Sequence, residues 1–522
     1  MNFISEKIEK HIYVGLICAL FLVVLFKALL VPITQDESIS LFEFILDFPD
    51  RIFLAKSANN HLLNTILASS LISAFGESLV ALRLPNVLSF LLFAYSIWKL
   101  LEYQPKLQKW LGLLTLLFCL NVFEYFGLAR GYGLSFAFLS FHIYAISRFQ
   151  KSYSFRWFLL SMVSIVLAAL SSFVLLPQLL ISMVFVLLIL LMQKRLKPIE
   201  GLVLLMSVGA FVWMLIITLK LNASGEMYLG ARSELIEGLL FTLFKYLRFH
   251  FDGLMFQIGF SLFSLIIVCV LIINLFNIRL AIKSAFVFTA LVLIGNILGY
   301  VVLANFFGIN YPYQRAALYL VPLAFLSFFL IPSCSVNFKW FTWFYYGVAF
   351  FLASVLVIDF KDNFRLRSTQ IEQASYLPAQ LITTLSSIAE DAENENFTIL
   401  ISSAFTDVFR YYNCMKFQSR FSAIPEKINA NATYYLSRSP MSNNFQLCTE
   451  SEGTYLYKNK AFDLRVKQIL KPNVKSQKST SDEYIRIRST SIAANNSQWL
   501  RLEFDIERSE LGKCAVVINI KN

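Results

Sequence analysis

The sequence predicts an all-α polytopic membrane protein of about eleven transmembrane helices plus juxtamembrane helices, followed by an extracytoplasmic region of α/β and β character. Three observations carry this. Of 522 residues, 57% are hydrophobic and only 15% charged, with a mean hydropathy of +0.63. Apolar runs of about 18 residues or more, each able to cross roughly 30 Å of hydrocarbon, recur as far as residue 358. After Asp359 the composition turns abruptly to Asp, Glu, Asn, Ser and Lys.

The first run, Ile12 to Leu30, has no small-residue cleavage site and is too long for a signal-peptide core, so it is expected to remain as a signal anchor. Spans are expected near 12–33, 80–101, 108–126, 131–149, 156–172, 174–192, 199–219, 254–276, 284–304, 315–332 and 340–358. His61 to Phe75, about 22 Å as a helix, is short for a span. Thr65, Ser69 and Ser73 form a polar arc beside its apolar face, which suits a helix lying in the interface. Loop charges support that placement. With 61–75 flat, the loops holding Lys106 and Lys109, Arg148, Lys151 and Arg156, Lys194, Arg195 and Lys197, and Arg279 and Lys283 share a side with Lys7 and Lys10. The positive-inside rule makes that side cytoplasmic. The expectation is therefore a multi-pass protein of the plasma or inner membrane, with a cytoplasmic N-terminus and an extracytoplasmic C-terminal region. The net charge of +12 then reflects topology, and no nucleic-acid partner is expected.

Three domains are expected: a transmembrane domain over 1–359 with a first external loop at 34–79, an α/β unit over 360–460, and a small β-rich unit over 461–522. Within the second, Phe397 to Ser402 reads as a strand and Ala404 to Tyr412 as a helix. In the third, alternation at Tyr484–Arg488, Trp499–Phe504 and Val516–Ile520 reads as antiparallel strands. A second long external segment runs over 220–253. The seven cysteines make no CxxC or zinc spacing, and Cys414 and Cys448 are the pair that an oxidising compartment could join.

The chemistry-bearing candidates cluster on the expected external side. Asp36 and Glu37 follow the first span directly. Thr34-x-x-Glu37 also fits a capping box that opens a juxtamembrane helix, and the two roles are compatible because a cap fixes a carboxylate in place. Asn59-Asn60-His61 opens the flat helix, with Asn60 as its expected N-cap. Arg83, Arg130 and Arg315 sit at the external mouths of three spans, against the positive-inside trend. Snorkelling would explain one such arginine. Bidentate binding of an anionic lipid phosphate would explain all three.

In their order and spacing these features resemble the dolichyl- or polyprenyl-phosphate-sugar-dependent glycosyltransferases of the GT-C fold. The resemblance is to the branch holding protein O-mannosyltransferases and the transferases that place aminoarabinose on lipid A. It rests on Asp36-Glu37, on Asn60-His61-Leu62-Leu63 at a (His/Lys)-Pro-Pro-like helix start, on Phe75-Gly76-Glu77-Ser78 with Ala81 to Pro85, and on Ala129-Arg130-Gly131-Tyr132. Leu62-Leu63 stand where that family has Pro-Pro, and Gly131 where it has Pro. The resemblance covers about residues 30–150 and does not extend to the C-terminal region.

It implies an inverting transferase that moves a hexose or pentose from a polyprenyl-phosphate donor to a hydroxyl of a glycan, protein or lipid acceptor. Asp36 and Glu37 would be the catalytic carboxylates, and Arg130, Arg315 and Arg83 would bind the donor phosphate. Asn60, His61 and Tyr132 would line the substrate site, with or without a divalent ion. Three other classes stay open: a transporter or flippase of lipid-linked sugars, a membrane-embedded polymerase or ligase of surface polysaccharide, and a non-catalytic scaffold for the C-terminal region.

Overall fold

The computed structural model describes residues 2–46, 57–194, 196–226, 231–232, 234–235, 239, 267–272, 274–276, 283–331, 339–369, 376–390, 397–402, 405–417, 421–425, 434–438, 445–451 and 454–459. The chain forms two compact units, Met1–Leu464 and Arg465–Asn522, and every described residue lies in the first. The strands expected between 484 and 520, most of the span at 254–276 and most of the segment 220–253 lie outside the described residues.

The protein is a mostly helical polytopic membrane protein. Among the described residues six helices are long and apolar enough to cross a membrane, or seven if one bent pair counts as a single span. That is fewer than the eleven expected. Helices Phe155–Ser171 and Gln314–Phe329 are apolar but short. Tyr132–Ser152 has the length but carries His142, Arg148 and Lys151, and it sits almost wholly inside the bundle, where lipid does not demand a uniformly apolar surface.

In chain order, α1 (Asn2–Leu30) leads through the irregular Val31-Pro32-Ile33 into the short α2 (Gln35–Ser40), which runs on as one π-helical turn, Leu41–Ile45. Then come α3 (Leu62–Phe75), α4 (Leu79–Leu101), α5 (Lys106–Leu117) and α6 (Leu120–Glu124). The expected span 108–126 is broken: α5 and α6 meet at 55°. Glu124 supplies a reason. Its carboxylate is fully buried, accepting from Lys27 Nζ of α1 at 2.9 Å and from Thr369 Oγ1 at 2.9 Å. Lys27 also donates to the carbonyls of Arg365 and Ser368. A buried charge must be paired, and this pair fastens α6 to α1 and to the chain that leaves the last span.

The central layer is α7 (Tyr132–Ser152) packed against α4 and α8 (Phe155–Ser171). Further helices are α9 (Leu176–Met192), α10 (Pro198–Ala223), α11 (Ala285–Phe307), α12 (Leu320–Phe329) and α13 (Lys339–Asn363). Two-residue strands β1 (Ala231–Arg232) and β2 (Tyr311–Pro312) pair antiparallel just before α12. Helix α3 departs from expectation in its facing. Thr65 and Ser69 point inward, 2% and 6% exposed, while Phe75 is 73% exposed. Of the expected polar arc, Thr65 and Ser69 thus serve the protein interior, while Ser73, near the helix end, is exposed.

After α13 the chain builds a small mixed sheet in the order β4-β3-β5-β7-β6. Here β3 is Phe397–Ile401, β4 Phe421–Pro425, β5 Tyr434–Ser437, β6 Phe445–Ser451 and β7 Thr454–Asn459. Strand β3 runs parallel to β4 and β5, and β7 is antiparallel to β5 and β6. Helices α14 (Ala379–Glu390) and α15 (Thr406–Met415) cover it. Its core is continuous with the juxtamembrane layer: Leu381, Phe409 and Tyr412 share one buried cluster with Ile33, Leu41, Ala68, Leu82 and Ala129. Cys414 and Cys448 are both free and exposed, so the pairing held open for them is not formed.

Candidate active site

Thr34, Asp36 and Glu37 owe their positions to a helix cap. Thr34 is extended (φ −89°, ψ 162°), its Oγ1 accepts from Glu37 N, and Glu37 Oε2 accepts from Thr34 N at 3.0 Å. This is the capping box that the spacing predicts. Three successive residues at the cap are also tied to the mixed-sheet region. Ile33 N donates to Tyr412 Oη at 3.3 Å, Thr34 makes an antiparallel bridge with Tyr376, and the Gln35 amide spans two partners. Gln35 Nε2 donates to Asp407 Oδ2 at 2.7 Å, and Gln35 Oε1 accepts from Val408 N at 3.3 Å. The turn that carries both carboxylates is thus held from both sides.

Glu37 and Arg83 form a closed unit. Glu37 Oε1 accepts from Arg83 Nε at 2.8 Å and Ala129 N at 2.6 Å, and Oε2 accepts from Arg83 Nη2 at 2.6 Å as well as from Thr34 N. Arg83 gives its remaining N–H groups to the carbonyls of Ala28, Val31 and Pro32. All five guanidinium donors are therefore engaged inside the protein, and both side chains are fully buried. Burial works to raise the Glu37 carboxyl, but Arg83 and the two backbone N–H groups outweigh it and hold the group below the usual glutamate range. Arg83, expected beside the other two arginines, is placed apart from them, as the lock on the end of α1.

Asp36 lies on the other side of the same turn. Its Oδ2 is shared by Arg130 Nη2 at 3.1 Å and by Arg315 Nη1 in close contact. Its Oδ1 accepts from Asn59 Nδ2 at 3.4 Å. Arg130 is 1% exposed, whereas the Asp36 side chain is 15% and Arg315 32% exposed. Burial pushes the carboxyl up, and the Arg130 and Arg315 guanidiniums together overcome it, so the group sits below the ordinary aspartate range.

Arg130 is aimed by its neighbours. Ala129 N donates to Glu37, and Ala129 O accepts from Asn64 Nδ2, whose own Oδ1 accepts from Asn86 Nδ2 at 2.7 Å. Asn86 Oδ1 in turn accepts from Leu134 N at the start of α7. Gly131 makes the close approach possible: a Cβ there would lie 2.2 Å from Ser171 O and 2.7 Å from the His61 ring. Arg315 stands on a 3-10 turn, Gln314–Ala317, just after β2.

His61 and Tyr132 line the same end, their rings in edge contact at 4.8 Å, with Arg130 5.8 Å over the Tyr132 ring. His61 Nδ1 lies 2.8 Å from Ser171 O. A carbonyl only accepts, so Nδ1 carries the proton and Nε2 keeps its lone pair. Burial first, then Arg130, pushes the imidazole down to about 3, so it is neutral. Asn60 is not the N-cap of α3. His61 takes that position without a side-chain cap, and Asn60 Oδ1 accepts from Thr65 Oγ1 at 2.8 Å.

The structure therefore gathers Asp36, Arg130, Arg315, His61 and Tyr132, and it separates off Glu37 and Arg83. Asn64 and Asn86 are site-building residues that the sequence reading did not single out, and Asn59 and Gly131 entered it only as members of motifs, without a role of their own. Among the described residues no group of three or more His, Cys, Asp or Glu could hold a metal ion. The donors at Asp36 are one carboxylate already shared by two guanidiniums and one neutral imidazole, a poor fit to a hard divalent cation.

Neither a protein-family model nor a curated protein sequence matches the chain. Its structure is similar to a crystal structure of ArnT from Cupriavidus metallidurans bound to undecaprenyl phosphate, with TM-score 0.45 and 12% identity over 86% of this chain and 98% of that one. It is also similar to the apo state of the same protein, with TM-score 0.37 and 11% identity over 87% and 99% of the two chains.

Proposed function

We propose that this protein is an inverting membrane glycosyltransferase that moves a sugar from a polyprenyl-phosphate donor to an acceptor hydroxyl at the external membrane face. The observation that carries the reading is the triad Asp36–Arg130–Arg315, a partly open carboxylate between two guanidiniums at the end of apolar helices. A lipid phosphate anchored in the bilayer reaches that level, and its sugar lies beyond it.

The chemistry balances on these groups. The acceptor oxygen attacks the anomeric carbon as its proton passes to an Asp36 carboxylate oxygen. The bond from that carbon to the phosphate oxygen breaks, and its electron pair leaves with the polyprenyl phosphate. The departing phosphate needs positive charge more than a proton, and Arg130 and Arg315 supply it. One displacement inverts the anomeric centre. Neutral His61, with Tyr132, shapes the pocket and adds no competing charge. Glu37 and Arg83 hold the turn.

The rival transport reading expects charges exposed to a path within the membrane. The described pair Lys27–Glu124 is sealed and fully bonded instead, which favours the transferase.

The test is removal of the protein followed by profiling of lipid-linked sugars and surface glycans. One polyprenyl-phosphate sugar should accumulate and one glycan disappear. Complementation with Asp36→Asn should leave membrane insertion intact and transfer reduced by roughly 10²-fold or more. No change in any lipid-linked sugar would sink the enzyme reading.

A further inference from the structure

We propose that Asp36 is an internal counterion that hands Arg130 and Arg315 to the donor phosphate during the reaction, so that lipid-phosphate binding and release of the base are one event. This rests on the transferase reading above. A single carboxylate oxygen, Oδ2, is ion-paired with both guanidiniums. Those two guanidiniums are also the cations that the departing phosphate would need. The two anions therefore compete for one pair of partners.

The charges match step by step. The donor phosphodiester carries one negative charge, as Asp36 does. As the glycosidic bond breaks the phosphate gains a second charge, while Asp36 takes the acceptor proton and loses its own. The pair of arginines faces two negative charges before and after the step, moved from one oxygen set to the other. Held by both guanidiniums, Asp36 is a weak base, because they stabilise its charged form. Drawn off by a phosphate, they leave a carboxylate that takes a proton more readily.

The exposures assign the moving part. Arg130 is 1% exposed and braced through Ala129, whereas Arg315 is 32% exposed on a short turn. Arg315 is the arm that moves to the phosphate, and Arg130 meets the phosphate in place. Glu37 cannot take part in such an exchange, since its four hydrogen bonds come from Arg83 and backbone N–H groups that are themselves buried and fixed. A consequence is order: the donor lipid enters before the acceptor finds a competent base.

The experiment measures affinity of the full-length protein in nanodiscs for undecaprenyl phosphate. Removing an internal competitor should strengthen binding, so Asp36→Asn and Asp36→Ala are expected to bind about tenfold tighter, about 1.4 kcal/mol, although both lose transfer. Arg315→Ala should bind weaker, and the gain from Asp36→Asn should vanish in the double variant with Arg315→Ala. Inorganic phosphate should compete only weakly, and competition as strong as the lipid's would overturn the lipid assignment. If binding needs the arginines but both Asp36 variants bind no tighter than wild type, the hand-over is wrong and the transferase reading stands. If wild type shows no arginine-dependent binding of the lipid phosphate, both fall.

Discussion

Asp36 and Glu37 are neighbours on one helical turn and each faces arginine, yet their surroundings differ in a way that separates structure from chemistry. Around Glu37 every lone pair and every Arg83 donor has a fixed partner, and neither side chain reaches solvent. Around Asp36 the partners come from two distant segments, one oxygen is shared by two cations, and one of those cations is a third exposed. A closed set of hydrogen bonds cannot exchange partners without leaving buried charge unpaired. An open set can. The same residue pair, carboxylate and guanidinium, is therefore a lock in one place and, in the proposed reaction, the working site in the other.

The sharpest way to break the comparison is to open the lock. Arg83→Ala leaves Glu37 as an uncompensated buried charge, a change that costs about 3–5 kcal/mol in comparable sites. Glu37→Ala leaves Arg83 in the same position. Both are expected to lower the thermal midpoint of the purified protein and its yield in the membrane. Asp36→Asn should leave both unchanged. Folded, stable Arg83→Ala protein with defective transfer alone would put Arg83 back beside the donor phosphate.

Much of the site is legible in the sequence because charge is scarce in it. Thr34-x-x-Glu37 gives the cap, and the external arginines stand out against apolar surroundings, so Asp36, Arg130 and Arg315 come together as candidates. What the sequence cannot fix is rotation. Arg83 lies five residues past the Ser78 cap of α4, and only the packing of α4 on α1 turns it inward to Glu37 and the carbonyls of 28–32. Asn59, Asn64 and Asn86 are neutral amides with no periodic signal, and their value comes from buried backbone groups that only the fold brings near. The break between α5 and α6 carries no Pro or Gly to mark it. It follows from Glu124 meeting Lys27 and Thr369, residues 97 and 245 positions away in sequence.

A smaller effect tests whether the mixed-sheet region sharpens the Asp36 side of the turn. The Gln35 amide bridges Asp407 and Val408 N, one residue from Asp36, and Arg410 packs 4.3 Å over Phe42 on the following π-helical turn. Asp407→Ala removes an acceptor worth about 1 kcal/mol in a half-exposed setting. Transfer should fall roughly fivefold, as a loss in kcat with KM for the donor unchanged, while Asp407→Asn, which keeps an accepting oxygen, restores most of it. A fall in donor KM alone, or equal losses in Ala and Asn variants, would detach α15 from the placement of Asp36.

The smallest effect expected on catalysis is at His61, and its sign separates packing from acid–base work. Burial and Arg130 lower this imidazole from 6.5 to about 3. Between those values the unfolded chain binds a proton that the folded protein does not, so stability falls as pH drops below about 6.5, by up to about 1.4 kcal/mol per pH unit. Above 6.5 the contribution is complete. His61→Gln should therefore flatten the acid side of a melting-temperature profile taken from about pH 7 to pH 4. It should not move the pH dependence of transfer near 6.5, because wild-type His61 does not titrate there. A transfer profile whose acid limb near 6.5 disappears in His61→Gln would give the histidine a proton to carry, and the proposal of Asp36 as the sole base would fall.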